Sequence, residues 1–283
     1  MTAAPSAFDA VLLAAGEGSR LGRVPKSLLC LEGRTLIERQ VLALLKAGAQ
    51  RIIIVTGYFY LEIEAEVRGF LEKITLNHLN KKETSLNTCD IYSGYINNQL
   101  EIVRNPTPEQ GQQSSVLVGL RALLDLPALN RSQPEGADDH QNRGLNNHDS
   151  SPILIVLVDQ PLMNETDFQM CVTAFHRRPS GCSIVFPVVA GQRGNPVAFS
   201  RKVIEKVLES GQTCREYIDH HREQTHRFAC DNDHFIVDID QEQDRLRFEQ
   251  RTGLSLSVTR AASKPEPHEA AISDAEPTKP PLL

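Results

Sequence analysis

The chain is 283 residues long and holds no tryptophan and three methionines, and aromatic residues make up only 5% of it. It also lacks a basic excess: 30 Lys and Arg face 36 Asp and Glu, for a formal net charge of −6. Proteins that grip a nucleic-acid backbone ordinarily carry the opposite balance, so no nucleic-acid partner is expected. A single small anion is not excluded, because it needs only local cations. No apolar run approaches the ~20 residues that span a bilayer, so no membrane partner is expected. The N-terminus has neither a basic leader nor a long apolar stretch, which removes the pattern of a secretory signal. The expectation is a soluble, cytoplasmic protein.

Cysteine is present six times, at 30, 89, 171, 182, 214 and 230, with no C-x-x-C pair and no histidine at ligand spacing. That pattern predicts free thiols, several of them acting as small apolar residues, and no structural zinc. His220-His221 and the histidines at 140 and 148 lie in polar settings and read as solvated side chains.

Two stretches are too polar to contribute to a core. Asn130 to Ser151 contains only Ala137 and Leu145 as apolar residues and reads as a surface insertion. Residues 254–283, rich in Pro and Ala from 261 on, read as a disordered C-terminal tail. Residues 1–7 form a short extension, and residues 77–98 read as a helix-plus-loop elaboration. What remains, within 8–253, is enough for one α/β domain.

That domain alternates short apolar runs with amphipathic segments. Ala10 to Leu13, Arg51 to Val55, Glu101 to Val103, Ile153 to Val158 and Cys182 to Phe186 read as strands. Shorter strands are expected near 196–199, 225–230 and 234–238. Ile37, Val41, Leu44 and Leu45 share one helix face, and further helices are expected at 60–72, 114–124 and 165–175. Near-continuous apolar strands separated by helices predict a mostly parallel sheet with helices on both faces. In such sheets ligands sit beyond the carboxyl ends of the strands.

The first strand runs into Leu13-Ala14-Ala15-Gly16-Glu17-Gly18-Ser19-Arg20-Leu21-Gly22, with Lys26 four residues on. Glycines at 16, 18 and 22 permit close backbone approach, and successive N–H groups form an anion nest. Arg20 and Lys26 add the charge a triphosphate requires. No Gly-Lys-Ser/Thr closes the loop, so it is not a Walker A sequence. Asp159 ends the most apolar strand, where a carboxylate is costly without a partner such as Mg²⁺. Asp238 follows Phe235-Ile236-Val237 and is a second candidate metal ligand, while Asp240 reads as the cap of the helix after it. Asn105, Gly111, Ser114 and Ser115 surround a helix start suited to a nucleotide, although either serine could simply cap that helix. Gly57 ends the second strand on the same side, where a plain turn is equally compatible. Gly194-Asn195-Pro196 forces an extended segment.

The loop Leu-Ala-Ala-Gly-x-Gly-Ser-Arg-Leu-Gly…Pro-Lys resembles the signature of nucleotidyltransferases. Gly111-Gln-Gln-Ser-Ser, Leu157-Val-Asp-Gln-Pro, Arg193-Gly-Asn-Pro-Val and Val237-Asp-Ile-Asp narrow the likeness to the molybdenum cofactor cytidylyltransferase branch, the MobA-like NTP transferases. The resemblance covers roughly 8–250. It implies a single Rossmann-like nucleotidyltransferase domain that uses Mg²⁺ on Asp159 and Asp238, with Arg20, Lys26 and Asp159 as its catalytic residues. Leu13 to Gly16, Gly18, Ser19, Arg20, Gly22, Lys26, Gly57, Asn105, Gly111, Ser114 and Ser115 would bind the nucleotide, and Gly194 to Pro196 the acceptor. Ala15 stands where guanylyltransferase relatives carry Gly, so the resemblance implies CTP as donor and molybdopterin as acceptor, with a molybdoenzyme receiving the product. A sugar- or alcohol-phosphate acceptor, a guanylyltransferase, and a nucleotide-binding regulator without turnover are the alternatives.

Overall fold

The computed structural model describes residues 7–79, 99–125 and 151–258. Insertion 130–150, most of elaboration 77–98, Cys89, His140, His148 and the tail from 259 on lie outside the described residues. The chain begins with β1 (Phe8–Ala14), the small strands β2 (Leu29–Leu31) and β3 (Arg34–Thr35), α1 (Leu36–Ala47), β4 (Ala49–Thr56) and α2 (Tyr60–Leu79). β5 (Leu100–Arg104), α3 (Gln112–Asp125), β6 (Ile153–Leu157), α4 (Glu165–His176), β7 (Ile184–Val189), β8 (Gln192–Arg193) and β9 (Val197–Phe199) follow. Then come α5 (Arg201–Ser210), α6 (Cys214–His220), β10 (Thr225–Ala229), α7 (Glu242–Thr252) and β11 (Leu256–Val258).

The main sheet runs in the order β10-β7-β9-β6-β1-β4-β5, with β8 paired to β7. β1 is parallel to β4 and β6, β4 to β5, and β7 to β10. β9 alone on this path runs antiparallel to its neighbours, β6 and β7. The period of two in β1 divides the core. Phe8, Ala10 and Leu12 point into one apolar cluster with α1, α2, α4 and α7, whereas Val11 and Leu13 point into another with α3, α5 and α6. Fully burying a Val, Leu or Phe side chain stabilises the fold by about 1.5–3 kcal/mol. The helix starts are locally encoded: Thr35 with Glu38, Asn164 with Asp167 and Thr213 with Glu216 each form a reciprocal capping box.

Three expectations need correction. Residues 234–238 are not a strand; Asp233–Phe235 form a 3-10 turn and the following residues carry no regular pairing. The apolar triplet there is read by packing instead, since Phe235 is fully buried. The start of the expected tail is ordered, because Leu256–Val258 pairs antiparallel with β2 in a second, three-stranded sheet. Three residues are too short for a periodic signal, and the partner lies over 200 residues away. Asp240 does not cap α7; Gln241 is the cap, closed by Asp244.

All five described cysteines are free. Burial pushes the Cys171 thiol well up and that of Cys214 up to about 12, so both sit as neutral apolar groups.

Candidate functional site

After β1 the chain builds β4 and β5 on one side and then crosses to β6 on the other. Loops leaving β1 and β6 therefore diverge, and a crevice opens at this switch point. A cavity of about 390 Å³ lies there. Its floor is the end of β1, Leu13 to Gly16, and the end of β6, Leu157 to Asp159. Gly111 and Ser115 at the start of α3 form one wall, and Lys26 and Asp240 the opposite end.

Local geometry explains the loop. Gly18 and Gly22 are both left-handed, at φ 63° and 70°. Leu21 N and Arg23 N both donate to the Gly18 carbonyl, at 2.9 and 3.0 Å, which folds the segment back on itself. A Cβ on Gly18 would stand 2.0 Å from the Val24 carbonyl oxygen, so only glycine fits. Gly16, by contrast, has open space beside it and faces the cavity.

Lys26 is the electrostatic centre. Its Nζ donates to Asp159 Oδ2 at 2.9 Å and to Asp240 Oδ1. Burial opposes its charge, but the two carboxylates together outweigh that and hold Lys26 above its ordinary value of 10.5. Asp238 stands nearby. Although Asp238 is exposed, the loss of hydration where it faces its neighbours, followed by the charges of Asp159 and Asp240, raises its carboxyl above the ordinary 3.8. Three carboxylates against one ammonium leave the cluster electronegative, and Asp159 Oδ1 is buried with no hydrogen-bond partner.

An orphaned carboxylate oxygen beside a negative cluster fits a hard divalent cation. Among the described residues no group of three His, Cys, Asp or Glu forms a cage for a metal. One or two carboxylates completed by ligand phosphates is the usual arrangement for Mg²⁺, and Asp159 with a second acid from 238–240 matches it.

The remaining sequence candidates divide. Leu13, Ala14, Ala15, Gly16, Lys26, Gly111, Ser115 and Asp159 line the cavity. Ser19 and Arg20 are exposed in a 3-10 turn (Ser19–Leu21) outside the lining. Gly57 is a packing residue: a Cβ there would lie 2.6 Å from the Ala15 carbonyl oxygen and 3.0 Å from Pro108 Cβ. Asn105 is 1% exposed, and its Nδ2 donates to Ser114 Oγ at 2.8 Å and Ser115 Oγ at 2.9 Å. It orders the wall from behind, and Ser114 returns a bond to the Gly111 carbonyl at 2.8 Å. Neither serine is the cap, since α3 begins at Gln112.

Gly194 lies against Phe235, whose carbonyl would be 2.7 Å from an added Cβ, and Asn195 N donates to that carbonyl at 2.9 Å. This segment shares the Phe235 carbonyl with Gln160 Nε2, one residue from Asp159, and does not line the cavity. Sequence reasoning passed over Ser27, Pro108, Glu109 and Gln112, which do line it. Asp240, expected as a helix cap, instead accepts from Lys26 Nζ; its spacing of two from Asp238 is the signal for a second carboxylate there. His220 and His221 lie at the far end of α6, with His221 stacked on Tyr217 at 4.0 Å.

A glycine-nested loop after β1, a lysine among aspartates and an open switch-point crevice define a nucleotidyltransferase-type α/β protein. The MobA-like NTP transferase domain family matches residues 10–225, and the chain belongs to it. Nicotine blue oxidoreductase of Paenarthrobacter nicotinovorans is 43% identical over 68 residues, covering 24% of this chain and 33% of the relative. The chain spans a third or less of the length of the curated relatives it matches. The nucleotidyl transferase Mth528 from Methanothermobacter thermautotroptrophicus superposes with a TM-score of 0.54 at 22% identity, covering 86% of this chain and 96% of that one. Rv0371c of Mycobacterium tuberculosis, solved in complex with manganese, gives 0.50 at 18% identity, covering 87% and 99%. At these identities the likeness to solved structures carries the fold alone.

Proposed function

We propose that this protein is a nucleotidyltransferase that moves a nucleotidyl group from an NTP to a phosphorylated acceptor and releases pyrophosphate. CTP is the donor and molybdopterin the acceptor. The observation that carries the reading is Lys26 held between Asp159 and Asp240 at the mouth of the β1/β6 crevice, beside the unpartnered Asp159 Oδ1.

The chain's own groups account for binding and charge. Ala15, Gly16 and the N-terminal end of α3 line the space where phosphates would lie, and a glycine-bearing loop and a helix N-terminus both favour anions. Lys26 is kept protonated by its carboxylates, so it is a ready cation for the transferring and leaving phosphates. An ionised acceptor phosphate needs no general base, in keeping with a site built from charges rather than from a nucleophile and histidine. Mg²⁺, or Mn²⁺ as in the manganese complex of Rv0371c, would be held by Asp159 with Asp238 or Asp240 and would neutralise phosphate charge.

Ala15 on the cavity floor supports CTP through the family resemblance. Gly194 to Pro196, fixed on the Phe235 carbonyl that Gln160 also reaches, supports an acceptor site there. A molybdoenzyme would take the product. No helix among the described residues is long and apolar enough to cross a membrane, and cytoplasmic action is part of the proposal.

The test is pyrophosphate release from each of the four NTPs with Mg²⁺ and molybdopterin. CTP-dependent release that disappears in Asp159→Ala is the expected result. GTP preference would refute the donor assignment. Turnover only with sugar or alcohol phosphates would refute the acceptor.

A further inference from the structure

The two acidic segments of the site lie about 80 residues apart in sequence, and one buried carboxylate outside the cavity joins them. Asp167 is 2% exposed at the third position of α4. Like Glu38 in α1 and Glu216 in α6, it closes a capping box, here by accepting from Asn164 N at 2.9 Å. Those two glutamates reach back to their own caps. Asp167 also reaches across the fold: Oδ1 accepts from Asn232 Nδ2 at 2.6 Å, and Oδ2 lies 2.9 Å from His234 Nδ1.

Those contacts define a double seam. On one side runs Asp159-Gln160 and the turn into Asn164; on the other runs Asn232 to Asp240. Ile239 N donates to the Asp159 carbonyl at 3.0 Å, and Gln160 Nε2 donates to the Phe235 carbonyl at 2.9 Å. Asn195 N shares that carbonyl at 2.9 Å. The 236–240 segment has no strand pairing of its own to hold it. Buried Phe235 and Ile239 pin it to the core, these cross-ties tie it to the Asp159 segment, and Asp167 supplies a buried anchor at the end remote from the cavity.

We infer that Asp167 is a positioning residue: by clamping Asn232 and His234 to the start of α4, it sets the spacing of Asp238 and Asp240 against Asp159 and so the affinity for a divalent cation. A helix cap needs one carboxylate oxygen facing the N-cap, and exposed Glu216 does this from the surface. Burying the acid and giving it two long-range partners serves the second segment, not the helix. The inference rests on the metal reading proposed above.

The experiment measures Mn²⁺ alone by electron paramagnetic resonance and titration calorimetry on the full chain, without nucleotide. Asp167→Asn keeps the shape but turns an acceptor into a donor; Asn232→Ala removes one cross-tie from the partly exposed side and guards against failure of the first variant to fold. Val207→Ala, buried under α5 on the opposite face of the sheet, serves as a control for lost stability. Mn²⁺ affinity is expected to fall about tenfold in Asp167→Asn and by a smaller factor in Asn232→Ala, and to stay within twofold in Val207→Ala. Wild-type affinity in both clamp variants would overturn the positioning role while leaving the metal reading intact. A wild-type protein that takes up no Mn²⁺ would refute the metal reading, and the clamp with it.

Discussion

Replacing Lys26 with Met keeps an unbranched side chain, one atom shorter, and removes its charge. Lys26 and Asp159 have side chains 17% and 19% exposed, so their 2.9 Å bond is poorly screened. The Asp240 side chain is 47% exposed, and its share is discounted for solvent. A hydrogen bond to a charged group contributes about 1.5–3 kcal/mol, and removing one partner of a buried pair costs about 3–5 kcal/mol. With one strong bond and one weakened by solvent, a loss of about 3 kcal/mol is expected. For a domain of this size that lowers Tm by roughly 6–12 °C. The difference has a pH signature. The folded pKa of Lys26 is raised above 10.5, so its contribution is complete below 10.5 and vanishes as pH climbs through the folded value. Thermal melts from pH 7 to 11, with and without Mn²⁺, measure both effects. Mn²⁺ should also stabilise K26M more than wild type, because the cation no longer competes with an ammonium. A variant that melts within 2 °C of wild type at pH 7 would refute the claim that Lys26 holds the carboxylates together.

Asp238→Asn should stabilise the apo protein at pH 7, because the folded pKa is raised and the charged form is the disfavoured one. The gain should shrink as pH falls and disappear below 3.8, where both states are protonated; denaturant melts at pH 7 and 3 check the sign. Gly18→Ala should weaken NTP binding at least tenfold in a nucleotide titration, since its Cβ meets the Val24 carbonyl at 2.0 Å and the loop must open. Gly119→Ala sets two effects against each other. Helix propensity favours Ala by about 1 kcal/mol, but the new Cβ would lie 2.4 Å from Val11 Cγ1 and 2.7 Å from Val55 Cγ2. Overpacking at about 1–3 kcal/mol wins, so chemical denaturation should find a destabilised protein.

What could be read without coordinates was whatever local chemistry encodes. The apolar period of β1, β4 and β6, the helix faces and the glycine loop are properties of neighbours in sequence, and they placed the parallel sheet and one floor of the cavity. Short pieces failed for the same reason. β2, β3 and β11 are each two or three residues long, and only their pairing makes them strands. Arg20 and Gly57 carried the right residue types for the site, yet a folded-back turn left one exposed and a close backbone contact used the other for packing.

The sequence alone determined the α/β class, the switch-point loop and the candidacy of Lys26 and Asp159, because each follows from periodicity or from a charge at the end of an apolar strand. Only the tertiary structure decided which carboxylates share a site. Lys26 meets Asp159 across 133 residues and Asp240 across 214, and no local pattern encodes such a meeting. Chain crossover from β5 to β6 brings the first pair together; the seam from Asp167 to Ile239 brings the second. Convergence of like charges is unfavourable in itself, so it persists where packing and buried hydrogen bonds elsewhere hold the backbone in place.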